Sequence, residues 1–352
     1  MSLNIKRSMR TTTAPLTYVD IIDLSSSGTA NCYIVSNAGK YKFNASVKGN
    51  STESIGSALS AEVLWESFGT DVAPSVGDIV RNATYKDGYI EFETPSTLAE
   101  GNAVIAAKDA SGKILWSWHI WVTDQPEEHT YPNNAGIMMD RNLGATSTLL
   151  GDICALGLFY QWGRKDPFLG SSNISDNVKA MSTCSWPSAV ESSSSKGTIE
   201  YITANPMTFI STSYSSDWHF NVSQTSSGNY QRFWTANKSI YDPCPVGYKV
   251  PEGGDSGFWA MADFEKYSTY DNVNLGISYS ILSPTMTTTW FPRAGLLYRD
   301  GDIAKVGQLG EYWSSTYSNA AGSIVYLYFS DDYLYQNSGE RVEGRSIRCI
   351  RE

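Results

Sequence analysis

The groups in this sequence that could do chemistry are carboxylates set among aromatic rings, five dispersed thiols and three isolated imidazoles. Asp140-Arg141-Asn142 and Trp162-Gly163-Arg164-Lys165-Asp166-Pro167 place charges inside otherwise apolar stretches. For Asp140 and Asp166 to act as acid and base, they would have to flank one bond in environments that drive their proton affinities apart. The alternative is structural. Each carboxylate pairs with an arginine, Arg141 or Arg164, and fastens a loop to the core by charge-assisted hydrogen bonds. Nothing in the spacing requires a shared cleft, so the structural role is preferred.

A second set combines rings with polar loops: Trp186, Trp218, Tyr298, Tyr333 and Tyr335, with Asp300, Asp302, Asp331 and Asp332 close to the last three. A sugar binds by laying its apolar face on such a ring while nearby polar groups fix its hydroxyls, and loops on a rigid scaffold are where binding usually resides. These nine residues are the candidate ligand-binding set. The Asp300-Gly301-Asp302 and Asp331-Asp332 pairs offer oxygen ligands that calcium could use, yet Asp-Gly is first a turn signal and no loop with a terminal glutamate follows. No cofactor is expected. His119, His129 and His219 and the cysteines lack the short ligand spacing of a zinc site. His119 is read as a paired or exposed side chain. Gly-x-Ser-x-Gly, His-Glu-x-x-His, phosphate-loop and dinucleotide signatures are absent, so a non-catalytic protein is expected.

The elements that must position these groups are mostly strands. At 352 residues the chain exceeds one domain of about 100–200 residues. Its 22 Tyr, 11 Trp and 29 Gly, with 18% charged residues, favour pleated strands and tight turns. The expected fold is mainly β with some α. From Tyr18 to Asp124 the pattern has period two: Tyr41, Phe43, Ala45 and Val47 alternate with polar residues, and Asp87-Gly88 marks a hairpin. Asp109 to Lys113 marks another hairpin, followed by Ile114, Trp116, Trp118, Ile120 and Val122 on one face of a long strand, with Trp121 opposite. Residues 16–124 therefore read as an immunoglobulin-like β-sandwich behind an extended or disordered segment, 1–15. Residues 125–134, polar and proline-bearing, read as a linker, and 135–352 as a second, α+β domain. Within it, Gly170 to Gly197 reads as a polar surface excursion, and a helix capped by Asp255 or Ser256 is expected through Phe258, Met261 and Phe264.

The second half carries motifs in a fixed order: Asp140-Arg141-Asn142-Leu143-Gly144, Gly157 to Phe168, Asp242-Pro243-Cys244-Pro245, Tyr312-Trp313-Ser314-Ser315, and Arg345 to Ile350. Together they resemble the Fibrobacter succinogenes major paralogous domain of exported proteins and fimbrillin-like lipoproteins, over about Tyr131 to Glu352. The resemblance implies a C-type-lectin-like fold, a structural place for Trp313, and a first half like the sandwich fused ahead of such domains. It also implies a Cys244–Cys349 disulfide, with two buried thiols as the alternative. Cys154 and Cys184 depart from the pattern and form a second candidate pair, leaving Cys32 as a free thiol in a strand.

The formal charge of −10 argues against nucleic acid, and no run of 18 apolar residues is present to span a membrane. Met1 to Arg10 is basic without an apolar stretch behind it, so export, which the resemblance implies, would make this a mature or trimmed form, with any lipid anchor removed. The expectation is a cell-surface or outer-membrane-associated adhesin whose second domain binds a glycan or a surface protein. A fimbrial or surface-assembly subunit that self-associates through an edge strand, using Thr11 to Pro15, is the first alternative. A glycan-active enzyme is the second.

Overall fold

A computed structural model describes residues 20–213, 215–220, 232–281, 287–318 and 322–352. Residues 1–15, including Thr11 to Pro15, lie outside the described residues. The fold is mainly β, and the α-helices among the described residues are short: Ile199–Ala204, Phe258–Met261 and Phe264–Tyr267.

Among the described residues the first half holds eight strands: β1 (Ile21–Asp23), β2 (Cys32–Val35), β3 (Lys40–Asn44), β4 (Ser60–Ser67), β5 (Arg81–Lys86), β6 (Tyr89–Glu93), β7 (Gly101–Lys108) and β8 (Ile114–Val122). They form two sheets, ordered β1-β3-β6-β5 and β2-β8-β7-β4. The alternation read from the sequence is what closes the space between them. Tyr41 and Phe43 of β3, Ile90 and Phe92 of β6, Ile105 of β7, and Trp116, Trp118 and Ile120 of β8 share one buried cluster. Asp87 and Gly88, both at positive φ, make the β5–β6 turn. At the β7–β8 turn the Asp109 carboxylate accepts from the backbone N–H groups of Ser111 and Lys113.

The second sheet is covered on its other face too. Cys32, Trp65, Val104 and Trp121 belong to a cluster that continues into Met139, Leu143, Leu158, Tyr160, Trp162 and Trp313 of the second half. A bulge between Val63 and Trp65 makes this possible. Ala61 and Val63 pack inside the sandwich, whereas Leu64 and Trp65 both pack on the far cluster, because the extra residue resets the alternation.

The second half is built from short strands: β9 (Glu128–Tyr131), β10 (Gly136–Met139), β11 (Tyr160–Gln161), β12 (Val190–Glu191), β13 (Ile210–Ser211), β14 (Tyr248–Lys249), β15 (Ser268–Asp271), β16 (Gly276–Ile281), β17 (Thr287–Pro292), β18 (Leu296–Leu297), β19 (Ile303–Ala304), β20 (Gly310–Tyr317), β21 (Ile324–Phe329), β22 (Leu334–Gly339), β23 (Gly344–Arg345) and β24 (Ile350–Arg351). The sheet orders are β14-β24-β10-β9, β11-β23-β18-β19, β15-β16-β17 and β20-β21-β22, with β12 paired to β13.

Three expectations are corrected. The segment 125–134 is not a simple linker: it contains β9, Tyr131 is buried, and Asn133 and Asn134, both at positive φ, turn β9 into β10. Gly170 to Gly197 is not a surface excursion throughout, because part of it lies along the edge of β4. Met181 N–H donates to Thr70 O (2.8 Å), Thr183 N–H to Glu66 O (3.0 Å), and Ser67 Oγ to Met181 O (2.6 Å). An exposed strand edge is thereby occupied. The helix after Pro251 splits into two single turns; its N-cap is Gly257, and Asp263 at φ 50° interrupts it and accepts from Lys266 N–H.

Polar side chains lock the halves together. Asn31 Nδ2 donates to Ile240 O and Asp242 O, Asn102 Nδ2 to Gly144 O, and Trp121 Nε1 to Ala145 O, all at 2.8–2.9 Å. Lys165 reaches from the second half into the first: its Nζ donates to Ser117 O (3.0 Å) and Oγ (2.6 Å) and lies 4.6 Å from the Trp116 ring centre. Asp166, 2.6 Å from Lys165 Nζ, also accepts from Ser117 Oγ at 2.6 Å. Burial lowers the Lys165 proton affinity and Asp166 opposes that loss. Cys244 and Cys349 form a disulfide across 105 residues, beside β14 and β24. A loop of that length is worth about 4–5 kcal/mol in the chain-entropy account.

Asp166→Asn preserves shape but leaves the buried Lys165 ammonium against a neutral amide, a change expected to cost roughly 3–5 kcal/mol. Denaturant melts at pH 7 should show that loss as a lower midpoint. Fluorescence and circular dichroism should give one coincident transition for the wild-type chain. Two separated transitions would contradict a core shared by both halves.

Candidate functional site

The residues of the ordered motifs are mostly consumed by packing. Trp162 Nε1 donates to Ser314 O, Trp313 Nε1 to Tyr160 O, and Trp218 Nε1 to Trp162 O, at 2.7–2.9 Å. Asn142 Oδ1 accepts from Arg348 Nε and Nη2, and Arg348 also donates to Trp290 O. Asp140 takes a two-point contact from Arg141 at 2.8 and 3.0 Å. Asp166 pairs with Lys165 instead of an arginine, and Arg164 is held by Gln161 Oε1 and the carbonyls of Pro206 and Thr208. These groups are buried and, apart from Arg164 Nε, matched to partners.

Trp218, expected to be an exposed platform, is fully buried and stacks on Phe233 at 5.1 Å between ring centres. Cys154 and Cys184 are not bridged to each other, and Cys184 Sγ instead lies 3.6 Å from Leu64 O. Tyr333 and Tyr335 are exposed on the β21–β22 hairpin with Asp331 and Asp332. That hairpin neighbours Asn272 and does not line the cleft described next. Among the described residues no three His, Cys, Asp or Glu side chains gather as a metal site.

The remaining candidates do converge. Trp186, Asp300 and Asp302 line one groove of about 320 Å³, with Phe168, Phe209 and Leu297 as its buried apolar lining and Lys179 also present. Each wall has an identifiable cause. Trp186 is half-buried, its ring packed 5.4 Å from Trp65 and 6.1 Å from Phe168, and its Nε1 donates to Ser182 Oγ. The opposite wall is the β18–β19 turn, closed by Gly301 N–H to Tyr298 O (2.8 Å) and Tyr298 N–H to Asp302 O (2.9 Å). Gly301 sits at φ +85°, and a Cβ there would fall 2.9 Å from the Phe209 ring, so only glycine lets this turn lie against the floor. Asp300 Oδ1 accepts from Asp302 N–H, leaving the exposed Asp302 carboxylate without a partner among the described residues. A second, more open depression of about 630 Å³ adjoins it, sharing Ala189 and Asp300 and adding Tyr298, Arg299, Glu191, Ser211, Ser213 and Glu343.

Sequence reasoning missed Lys179, Glu191, Ser211, Ser213, Arg299 and Glu343. The parallel β12–β13 pair brings Glu191 beside Ser211, which no spacing announces. Comparison with family models, with curated proteins and with solved structures finds no match.

A nucleophile-like constellation is also present where nothing predicted one. Parallel pairing of β2 with β8 sets Cys32 opposite His119. Cys32 Sγ is 3.4 Å from His119 Nδ1, and His119 Nε2 is 2.9 Å from Asn102 Oδ1, the connectivity of a Cys-His-Asn triad. Tyr160 OH also approaches Nδ1 at 3.4 Å. Burial decides its character. It drives the Cys32 thiol far up and pulls His119 down to about 3, so both stay neutral, the reverse of what an attacking thiolate needs.

This cluster predicts a pH dependence. The unfolded chain protonates its imidazole below the ordinary value of 6.5, whereas folded His119 resists until about 3. Stability is therefore full above pH 6.5 and falls between 6.5 and 3, His119 contributing a slope of up to about 1.4 kcal/mol per pH unit. Burial also lowers His219, to about 4, and His129. Denaturant midpoints measured from pH 7 to 4 should fall less steeply in His119→Gln than in wild type; parallel curves would remove His119 as the responsible group.

Proposed function

We propose that this chain is an exported, non-catalytic, adhesin-like protein of the cell surface whose second half binds a glycan in the cleft between Trp186 and the Asp300–Asp302 turn. One observation carries the reading: a half-buried tryptophan ring and two carboxylates, distant in sequence, line the same groove. The ring offers an apolar face for a sugar's C–H surface, and the carboxylates accept hydrogen bonds from its hydroxyls. Trp186 is braced from behind by Trp65, so little of its freedom remains to be lost on binding. The groove lies within the range of about 300–1,000 Å³ usual for small-ligand sites.

Four buried acids outside the cleft, Asp140, Asp166, Glu311 and Glu66, are committed to structural partners, which supports a structural role for them over turnover. Asp140 and Asp166 are bound to Arg141 and Lys165, and Glu311 to Arg345 at 2.5 Å. Glu66 accepts three backbone N–H groups, from Gly77, Ile79 and Val80. Among the described residues no helix is long and apolar enough to cross a membrane.

On a glycan array, Trp186→Ala is expected to lower binding at least about tenfold, a loss of ~1.4 kcal/mol. Tyr333→Ala, on the separate hairpin, should leave it unchanged. Bound glycan should be recovered intact. Equal loss from both substitutions, or release of new reducing ends, would overturn the reading.

A further inference from the structure

The groove at Trp186 does not end where its ring ends. Residues Trp186 to Ala189 wall the first depression, and Ala189 and Glu191 continue along the second. Opposite them, Asp300 to Asp302 wall the first, and Tyr298 to Asp300 the second. The same two chain segments therefore flank both depressions, with Ala189 and Asp300 at the joint. From Trp186 to Glu191 an extended chain covers at most about 17 Å, and each depression has its own aromatic ring. Tyr298 is 39% exposed, enough to present its ring to a ligand.

The chemistry of the second depression differs from that of the first. Where the Trp186 groove has an apolar floor, here the lining is Ser211, Ser213 and the carboxylates of Glu191 and Glu343. Glu191 is steadied by Ser213 N–H at 2.8 Å and Glu343 by Arg345 at 2.6 Å. Arg299 adds a donor and is itself bridged to Glu340. Fixed carboxylates, hydroxyls and a guanidinium supply acceptors and donors side by side, the complement of a ring bearing several hydroxyl groups.

Resting on the glycan-binding reading above, we infer that the two depressions are consecutive subsites of one cleft, which takes an oligosaccharide of two or more linked sugars. Trp186 stacks one unit, Tyr298 stacks the next, and Asp300 lies at the linkage between them.

Titration calorimetry on the full chain tests this with five homologous series, of glucose, xylose, galactose, mannose and N-acetylglucosamine, each as the single sugar and as its linked dimer, trimer and tetramer. In the series that binds, affinity should rise at least tenfold from the single sugar to the dimer or trimer and then level off. Tyr298→Ala should remove that gain and return the trimer to the affinity of the single sugar. Trp186→Ala should weaken every length, and Asp302→Ala, an exposed change that leaves the Trp65 packing untouched, should weaken the single sugar and the trimer alike. Affinity independent of length, or a length gain that survives Tyr298→Ala, would overturn the two-subsite inference while leaving glycan binding intact. Silence in all five series at every length would instead overturn the binding reading and the inference with it.

Discussion

From Trp116 to Val122 strand β8 has no face left for water, and the rest of the molecule is arranged around that constraint. Trp116, Trp118, Ile120 and Val122 point into the sandwich, and Trp121 points into the cluster shared with the second half. A sheet buried on both sides must satisfy every polar group it carries, because an orphaned donor there costs roughly 1–3 kcal/mol. Ser117, His119 and Asn102 on that sheet accordingly meet Lys165, Asp166, Cys32 and the Gly144 carbonyl. The two halves are thus held by one hydrophobic cluster with polar contacts at defined points, and the segment between them adds a strand of its own.

From this sheet the constraint reaches the cleft. The bulge in β4 turns Trp65 outward from the sandwich, and the segment around Met181 and Thr183 is hydrogen-bonded along the same strand. Trp186 follows directly in that segment and comes to rest against Trp65. The first half is therefore part of the site's support, since it fixes the ring that the second half presents. The opposite wall depends on a separate device, the glycine that lets the β18–β19 turn touch Phe209.

Much of the first half was legible from sequence because alternation has only one physical meaning there. Tyr41, Phe43, Trp116 and Trp118 bury as period two requires, and Asp87-Gly88 turns as its chemistry demands. The second half resisted because its strands are mostly short and its fixed points are side chains, so periodicity had little length in which to show. Trp218 misled because polar neighbours in sequence say nothing of a ring that folds back onto Phe233. Trp186 and Asp300 were named for their residue types and polar neighbours, but their meeting depends on contacts more than 100 positions apart. The Cys32–His119 contact was invisible for a related reason, since it exists only through parallel pairing of strands 87 residues apart.

In the proposed function Trp186 is the ring that meets ligand, while the other tryptophans hold the fold. The most direct measurement is a titration of the full chain, labelled with nitrogen-15 at tryptophan, followed through the indole N–H resonances as oligosaccharide is added. Trp186 should shift progressively to saturation, with Trp65 responding weakly through its contact. Trp162, Trp218 and Trp313, whose indoles are tied to buried carbonyls, should stay fixed. An unmoved Trp186 at saturating ligand would contradict the account.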